Sequence, residues 1–317
     1  MPDMGGSIRI LPQGAAMPLS LAVPILAASL LLPWQGQWFC AAAVIIVLGV
    51  PHGALDVEIG RTLLRDRVGW AWFPLFAAPY LALVAAVLIA WNLAPEANLG
   101  AFLAVSVWHF GSEETDGGGL PALAVGGLPV ALPVLLQPAA TAQVLAAISG
   151  VPFGAPPAWL LLGSLAWMLL AAFWCYRTLV DGSRHALILP ILQCLGFAFL
   201  PPLTAFTLYF VSVHAPMHTA ALIRNSTRAP RVRDAATAWW LAIPTTALTV
   251  LIGISLWPLG SGEPAVHVVG VTLQLLAALT LPHLLLDVGL AKREKSGPRA
   301  ASIQSSGSVT RKLLTNG

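Results

Sequence analysis

Residues 202–223 read PLTAFTLYFVSVHAPMHTAALI, an apolar run that carries two imidazoles four residues apart, His214 and His218. Roughly 17 to 25 apolar residues suffice to cross a bilayer as a helix, and this run is long enough. Lipid offers no partner to a backbone N–H or C=O, so such a segment must satisfy its own hydrogen bonds as a helix. The two imidazoles are then polar groups in an apolar setting, and they need a structural or chemical reason to be there.

Outward from this run the same texture covers the chain. Of 317 residues, 57% are hydrophobic and only 9% charged, so most segments are apolar on every face rather than along one stripe. That is the composition of a polytopic membrane protein. About ten runs qualify as spans, near 16–33, 37–56, 70–93, 97–112, 120–137, 157–180, 185–200, 203–223, 236–258 and 266–290. The 97–112 run is short, and 120–137 is interrupted by Gly126, Gly127, Pro129 and Pro133. Either reads as a broken or re-entrant segment. The first apolar run lacks a basic flank followed by an A-x-A-like cleavage site and reads as a first span rather than a leader.

The fold expected is all-α, a polytopic integral membrane helical bundle with about ten transmembrane segments and both termini cytoplasmic. Residues 1–15 form an N-terminal segment, 16–290 the multi-span domain, and 291–317 a basic, disordered cytoplasmic tail. The orientation comes from the basic residues. With ten spans and the N-terminus inside, all 16 Lys and Arg fall on one side, from Arg9 through the 61–67, 177–184 and 224–233 loops to the C-terminal tail. Such asymmetry marks the cytoplasmic face. It also accounts for the net charge of +3 without any nucleic-acid partner. Cys40, Cys175 and Cys194 are odd in number and scattered through apolar segments, which suits packing rather than disulfides or a thiolate metal site.

Two of the seven histidines, His185 and His267, sit at span ends and read as interfacial or capping residues. The other five lie within spans: His52, His109, His214, His218 and His283. At 1.5 Å per residue, the distances of His52, His214, His218 and His283 from the nearest basic residue on the inner side are roughly 9 to 15 Å, and His109 lies about 6 Å from Glu113. Five imidazoles from four spans therefore share the inner half of the membrane, where ionisable residues normally face a protein interior. His214 and His218, at i and i+4, project from one helix face and can chelate one ion, although Pro216 between them loosens the helix. Pro51-His52-Gly53-Ala54-Leu55-Asp56 and Pro282-His283-Leu284-Leu285-Leu286-Asp287 share the pattern P-H-x-x-L-D, in which helical spacing lets the carboxylate either orient the imidazole four residues before it or stand as an interfacial residue near the cytoplasmic end. In Trp108-His109-Phe110-Gly111-Ser112-Glu113-Glu114 an imidazole precedes an acidic pair, of which at least one member is expected at a solvated helix end.

Neutral imidazoles suit a borderline divalent metal, and an iron centre held by them keeps open positions for dioxygen or water, though imidazole alone does not select iron over zinc or copper. A pocket among apolar helices would admit a lipid-soluble substrate from the bilayer. There is no H-E-x-x-H zinc-protease motif and no G-x-S-x-G nucleophile elbow, and the histidine boxes of membrane di-iron desaturases need more histidines than are present. A histidine-based transporter or proton pathway is the main non-enzyme alternative. A haem protein with two axial histidines is a third.

The motifs PHGALD at 51–56, WHFGSEE at 108–114, HAPMH at 214–218 and PHLLLD at 282–287, in that order across nearly the whole chain, resemble those of the Brp/Blh family. These are bacteriorhodopsin-related membrane proteins that cleave β-carotene to retinal. The resemblance implies a β-carotene 15,15′-dioxygenase that uses Fe(II) and dioxygen to split the central double bond into two molecules of all-trans-retinal. Another carotenoid is the alternative substrate, and a retinal-binding rhodopsin is a candidate acceptor of the product. Matching motif positions makes His52, His109, His214 and His218 the iron ligands. His283, Asp56, Glu113 and Asp287 then support the ligands or position substrate, and Trp108, Phe110, Tyr209 and Phe210 are candidates to line the polyene channel. The chain departs from the family pattern at Val57, where a second His often follows the Asp, and at Ala215 and Pro216, where Ser often follows the first His of the pair.

Overall fold

The computed structural model describes residues 16–115, 118–259 and 262–296, and all regular structure among them is helical. Five helical stretches are long and apolar enough to cross a membrane: Trp34–Leu93, Ala158–Val180, Pro202–Arg224, Ala235–Leu256 and Pro264–Leu290. The apolar character extends to the outside of the molecule. Leu162, Leu169 and Tyr176 on Ala158–Val180 and Trp240, Leu251 and Ile254 on Ala235–Leu256 are each more than 60% exposed. Apolar faces of this extent need a non-aqueous surrounding, which makes this a helical membrane protein. The Pro202–Arg224 stretch is by contrast mostly buried and forms the centre of the bundle.

A chain with 26 prolines remains helical because many of them open helices, where the missing N–H would have no intrahelical acceptor. Pro51, Pro95, Pro138, Pro202 and Pro216 all stand in the first turn of a helix. Pro51 and Pro216 are each preceded by a five-residue π-helical turn, Ile45–Gly49 and Phe210–His214. The N–H of Val50 bonds the carbonyl of Ile45, five residues back, and that of Ala215 bonds Phe210. A proline ring clashes with the carbonyl four residues before it, and a wider turn relieves that clash. The two widened turns touch one another, and each delivers a histidine, His52 and His214, to the interior.

The run 97–112, expected to be broken or re-entrant, lies within one unbroken helix, Pro95–Glu114. The 120–137 run is divided at Gly127 into Leu120–Gly126 and Leu128–Leu136. The first of these packs closely on Pro95–Glu114 through paired glycines. A Cβ on Gly111 would strike the carbonyl oxygen of Ala122, and one on Gly126 would strike that of Val107. An additional helix, Pro138–Ser149, stands where the sequence suggested only a connection between spans. At 12 residues it is too short to cross a bilayer, and it is seated by Gln274, whose amide donates to the Ile148 carbonyl, and by Thr141, whose hydroxyl donates to Pro133.

The last helix, Pro264–Ser296, continues past position 290, so the beginning of the expected disordered tail is helical. The expected N-terminal segment 1–15 and the tail from 297 onward lie outside the described residues. The three cysteines are free and half-buried.

Candidate metal centre

His52 follows the first π turn, His109 lies on Pro95–Glu114, His214 ends the second π turn, His218 follows it by one helical turn, and His283 stands just after Pro282 in the last helix. Long-range packing brings all five together. Ring centroids of His52 lie 5.3, 5.6 and 5.8 Å from those of His214, His218 and His283. His109 is 4.9 Å from His214 and 5.2 Å from His283, and His218 is 4.8 Å from His283. All five side chains are buried. His283 is thus as central as the four histidines to which the resemblance gave the metal. His185 is exposed and His267 stacks on Trp257, both away from the cluster.

Neither acid of the 113–114 pair is at a solvated helix end. Glu113 points into the histidines: its Oε1 lies 3.1 Å from His218 Nδ1 and 3.8 Å from both His109 Nδ1 and His283 Nε2, and its Oε2 lies 3.7 Å from His214 Nδ1. Glu114 is fully buried and accepts a short hydrogen bond from the Tyr209 hydroxyl.

The two P-H-x-x-L-D segments are interlocked rather than self-contained. Asp56 does not meet His52, because the short helix Pro51–Ala54 ends at Leu55 and a new helix starts at Asp56, which destroys the i, i+4 relation. Instead Asp56 accepts from His283 Nδ1 at 2.9 and 3.0 Å, and its Oδ2 also accepts from the Tyr80 hydroxyl at 2.9 Å. His52 is oriented by its own backbone, through Nδ1 and the carbonyl of Gly49. Asp287 keeps its helical relation to His283, with 3.7 Å between Oδ2 and Nε2, and faces Arg228 at 4.0 Å on its other side.

These partners decide where lone pairs point. An ionised carboxylate or a carbonyl only accepts, so the hydrogen of His283 and of His52 sits on Nδ1 and the Nε2 lone pair remains. A ligating histidine is usually held in this way, with its outer nitrogen on a carboxylate or backbone carbonyl. His109 Nδ1, both nitrogens of His214, His218 Nε2 and His283 Nε2 are buried without a hydrogen-bond partner. Buried polar atoms left unpaired are costly, and so many converging in one place call for a cation. Glu113 groups with His218, His283 and Asp287, and again with His109 and His214, with ligand atoms within 4.8 Å in each group. Imidazole with carboxylate fits a first-row transition metal, and Asp56, Glu113 and Asp287 supply negative charge against a divalent ion.

One side of the centre opens to apolar space. The histidine pocket is walled by His52, His109, His214 and His283 with Phe102, Ser106, Phe110 and Phe210. Phe102, Ser106 and Phe110 also form the near end of a second, apolar cavity of about 100 Å³ that continues toward Val130, Ile148 and Leu160. Phe210 stacks on both His214 and Phe206. Of the other aromatic channel candidates, Trp108 is 42% exposed and stands apart from both cavities, because its neighbours His109 and Phe110 take the inward face of the helix. Tyr209 also lines neither cavity and holds Glu114. Phe102 and Ser106 escaped the sequence reading, although they stand two turns and one turn, respectively, before His109 and Phe110 on the same helix face. Tyr80 escaped it as well, and no local signal marks that residue.

Fold and pocket together define a class: an all-helical membrane protein with a buried imidazole–carboxylate centre beside an apolar cavity. The family profile described as beta-carotene 15,15'-dioxygenase matches residues 43–290, a range that holds the whole cluster, and the chain belongs to that family. It is similar to a beta-carotene 15,15'-dioxygenase of an uncultured marine bacterium, 26% identical over 275 residues that make up 78% of this chain and 92% of the relative. It is also similar to a probable beta-carotene 15,15'-dioxygenase, Blh, of Halobacterium salinarum, 27% identical over 276 residues, 75% of this chain and 80% of the relative. No solved structure matches the chain.

Proposed function

We propose that the reaction of this family takes place in the histidine pocket, where the imidazoles would hold Fe(II), which when bound would supply the dioxygen chemistry for cleavage of the central 15,15′ double bond of β-carotene. The carbon–carbon double bond is broken, and one oxygen atom of O2 goes to each of the two retinal aldehydes. The observation that carries the reading is the junction at Phe102, Ser106 and Phe110, where a cavity lined by hydrocarbon meets the unpartnered imidazole nitrogens. A polyene has no group for a protein to bond, so it is recognised by apolar walls and placed by their shape.

His52, His109, His214 and His218 are the proposed ligands, with His283 in the same cluster. Asp56 orients His283, and Phe110 and Phe210 wall the reacting segment of the polyene. A cavity of roughly 150 Å³ holds a benzene ring. At about 100 Å³ the apolar cavity is therefore too small for half a carotenoid, and the polyene must displace side chains such as Phe102 and Phe206 as it enters. Water is kept out by the same apolar lining, which confines the oxidant to the substrate.

The proposed topology has ten crossings and cytoplasmic termini in a bacterial plasma membrane, and it is supported by the one-sided placement of Lys and Arg. The ion then lies in the inner leaflet, where β-carotene enters laterally and retinal leaves toward a membrane acceptor such as a rhodopsin. The test is chromatography of retinoids from β-carotene-producing cells that express the chain, beside His218→Ala at matched abundance. Retinal with consumption of β-carotene is expected in the unmodified chain alone. Unchanged β-carotene in cells containing folded, iron-loaded protein would overturn the substrate assignment.

A further inference from the structure

The helix Pro138–Ser149 is too short to cross a bilayer, and neither the bundle nor the metal centre has given it a task. Four of its residues, Thr141, Val144, Leu145 and Ile148, line the apolar cavity. Their spacing of three and four residues puts them on one helix face, so the helix lays a whole stripe along that cavity. The stripe offers no hydrogen bond. Its one hydroxyl, on Thr141, shares its proton between the carbonyls of Pro133 and Gln137, at 2.7 and 2.8 Å.

Both ends of this helix are tied. At its start the side-chain amide of Gln137 donates to the carbonyls of Phe197 and Leu200 at 2.8 and 2.7 Å. At its end the amide of Gln274 donates to the Ile148 carbonyl at 2.7 Å. The last helix also comes so close at Gly270 that a Cβ there would lie 2.5 Å from the Ala147 carbonyl oxygen. Phe102 and Phe206 are only half-buried and can change rotamer as a polyene enters, whereas Leu145 and Ile148 are buried on a backbone held at both ends.

The cavity runs away from the histidines. It begins at Phe110 and Ser106 and follows the helix Pro95–Glu114 back to Leu99, ten residues before His109 and about 15 Å along the axis. That depth is comparable with one half of β-carotene. The walls of the histidine pocket that this cavity does not share include Val50, Gly53, Leu276 and Leu279. Gly53 and Leu279 are partly exposed, and a Cβ on Gly53 would meet nothing within 4 Å, so this side has room for a chain to leave.

We infer that Pro138–Ser149 is the depth stop for one arm of the polyene: Val144, Leu145 and Ile148 fix how far the arm enters, and thereby which double bond comes to rest at the imidazoles. The other arm leaves past Gly53 and Leu279 and meets no stop. This role rests on carotenoid cleavage in the histidine pocket and adds the element that selects the bond. A deeper stop lets the arm advance by one polyene repeat, two carbons, and the neighbouring double bond is cut in place of the central one. One oxygen atom of O2 still goes to each fragment. The inserted arm leaves as an aldehyde two carbons longer than retinal, and the free arm as a ketone two carbons shorter, because its cut carbon carries a methyl group.

The experiment supplies β-carotene to the full-length, Fe(II)-loaded chain in lipid nanodiscs and separates the products by chromatography with mass spectrometry. The unmodified chain should give retinal, with the unequal pair a trace at most. Leu145→Ala and Ile148→Ala should each raise the share of the unequal pair about 10-fold or more, since a methylene in an apolar pocket discriminates on that scale. Ile59→Val, a truncation in a separate part of the core, should change the yield alone. Where circular dichroism shows an alanine variant unfolded, Leu145→Val and Ile148→Val, each one carbon smaller than the native side chain, take its place. Retinal as the sole product of the folded variants overturns the depth stop and leaves carotenoid cleavage standing, as does the unequal pair from Ile59→Val. No cleavage product from the unmodified chain overturns both.

Discussion

Asp56 offers the sharpest test of how the centre is held. Its carboxylate, 2% exposed, accepts from two buried or half-buried donors, His283 Nδ1–H and the Tyr80 hydroxyl. Asp56→Ala removes both acceptors and strands both donors away from water. Each stranded donor costs roughly 1–3 kcal/mol, so the metal-free protein should lose about 2–6 kcal/mol of stability. Loss of the partner that orients a ligating histidine typically weakens metal binding about 10- to 100-fold. Asp56→Asn keeps one acceptor oxygen and should fall between. The diagnostic step is the double variant. In the Asp56→Ala background, Tyr80→Phe deletes one of the stranded donors and should restore about 1–3 kcal/mol, although on its own it destabilises. Denaturant unfolding of chelator-treated protein and Co(II) affinity give the two readouts. An Asp56→Ala protein with unchanged unfolding midpoint and unchanged metal affinity would refute the reasoning, as would a Tyr80→Phe effect of the same sign in both backgrounds.

Gly111→Ala should destabilise by about 1–3 kcal/mol, because the new methyl meets the backbone carbonyl of Ala122 and no rotamer change can relieve it. Gly163→Ala, with open space around it in a helix, should be neutral or gain up to about 1 kcal/mol, both variants being measured by denaturant unfolding. Ser106→Phe fills the junction between the two cavities and should lower retinal formation by about 10- to 100-fold while bound metal stays at the unmodified level, as chromatography and metal analysis would report. Arg231 bonds both oxygens of Glu58 at 2.9 and 3.2 Å but is 48% exposed, so Arg231→Ala should cost only about 0.2–1 kcal/mol in denaturant unfolding.

Composition and local pattern were enough to decide much of this protein. Long apolar runs with no charge have one stable form in lipid, so the helical membrane class follows from the amino acids directly. The five buried histidines were also legible, since an imidazole inside an apolar run is out of place wherever the run ends up. The helix Pro138–Ser149 was not legible: twelve residues are too few for a span, and its seat is made by Gln274 and Thr141. Nor could spacing show which acid serves which histidine. The i, i+4 rule paired Asp56 with His52, but the helix breaks at Leu55 and turns the carboxylate to His283, 227 residues away. A solvated helix end was expected for at least one of Glu113 and Glu114, but tertiary packing sets His214, His218 and His283 from other segments around Glu113. What a residue is, and the helix face it occupies, are local properties set by side-chain chemistry and a 3.6-residue period. Which donors converge on one point is set by how separate helices pack, and only the tertiary structure decides that.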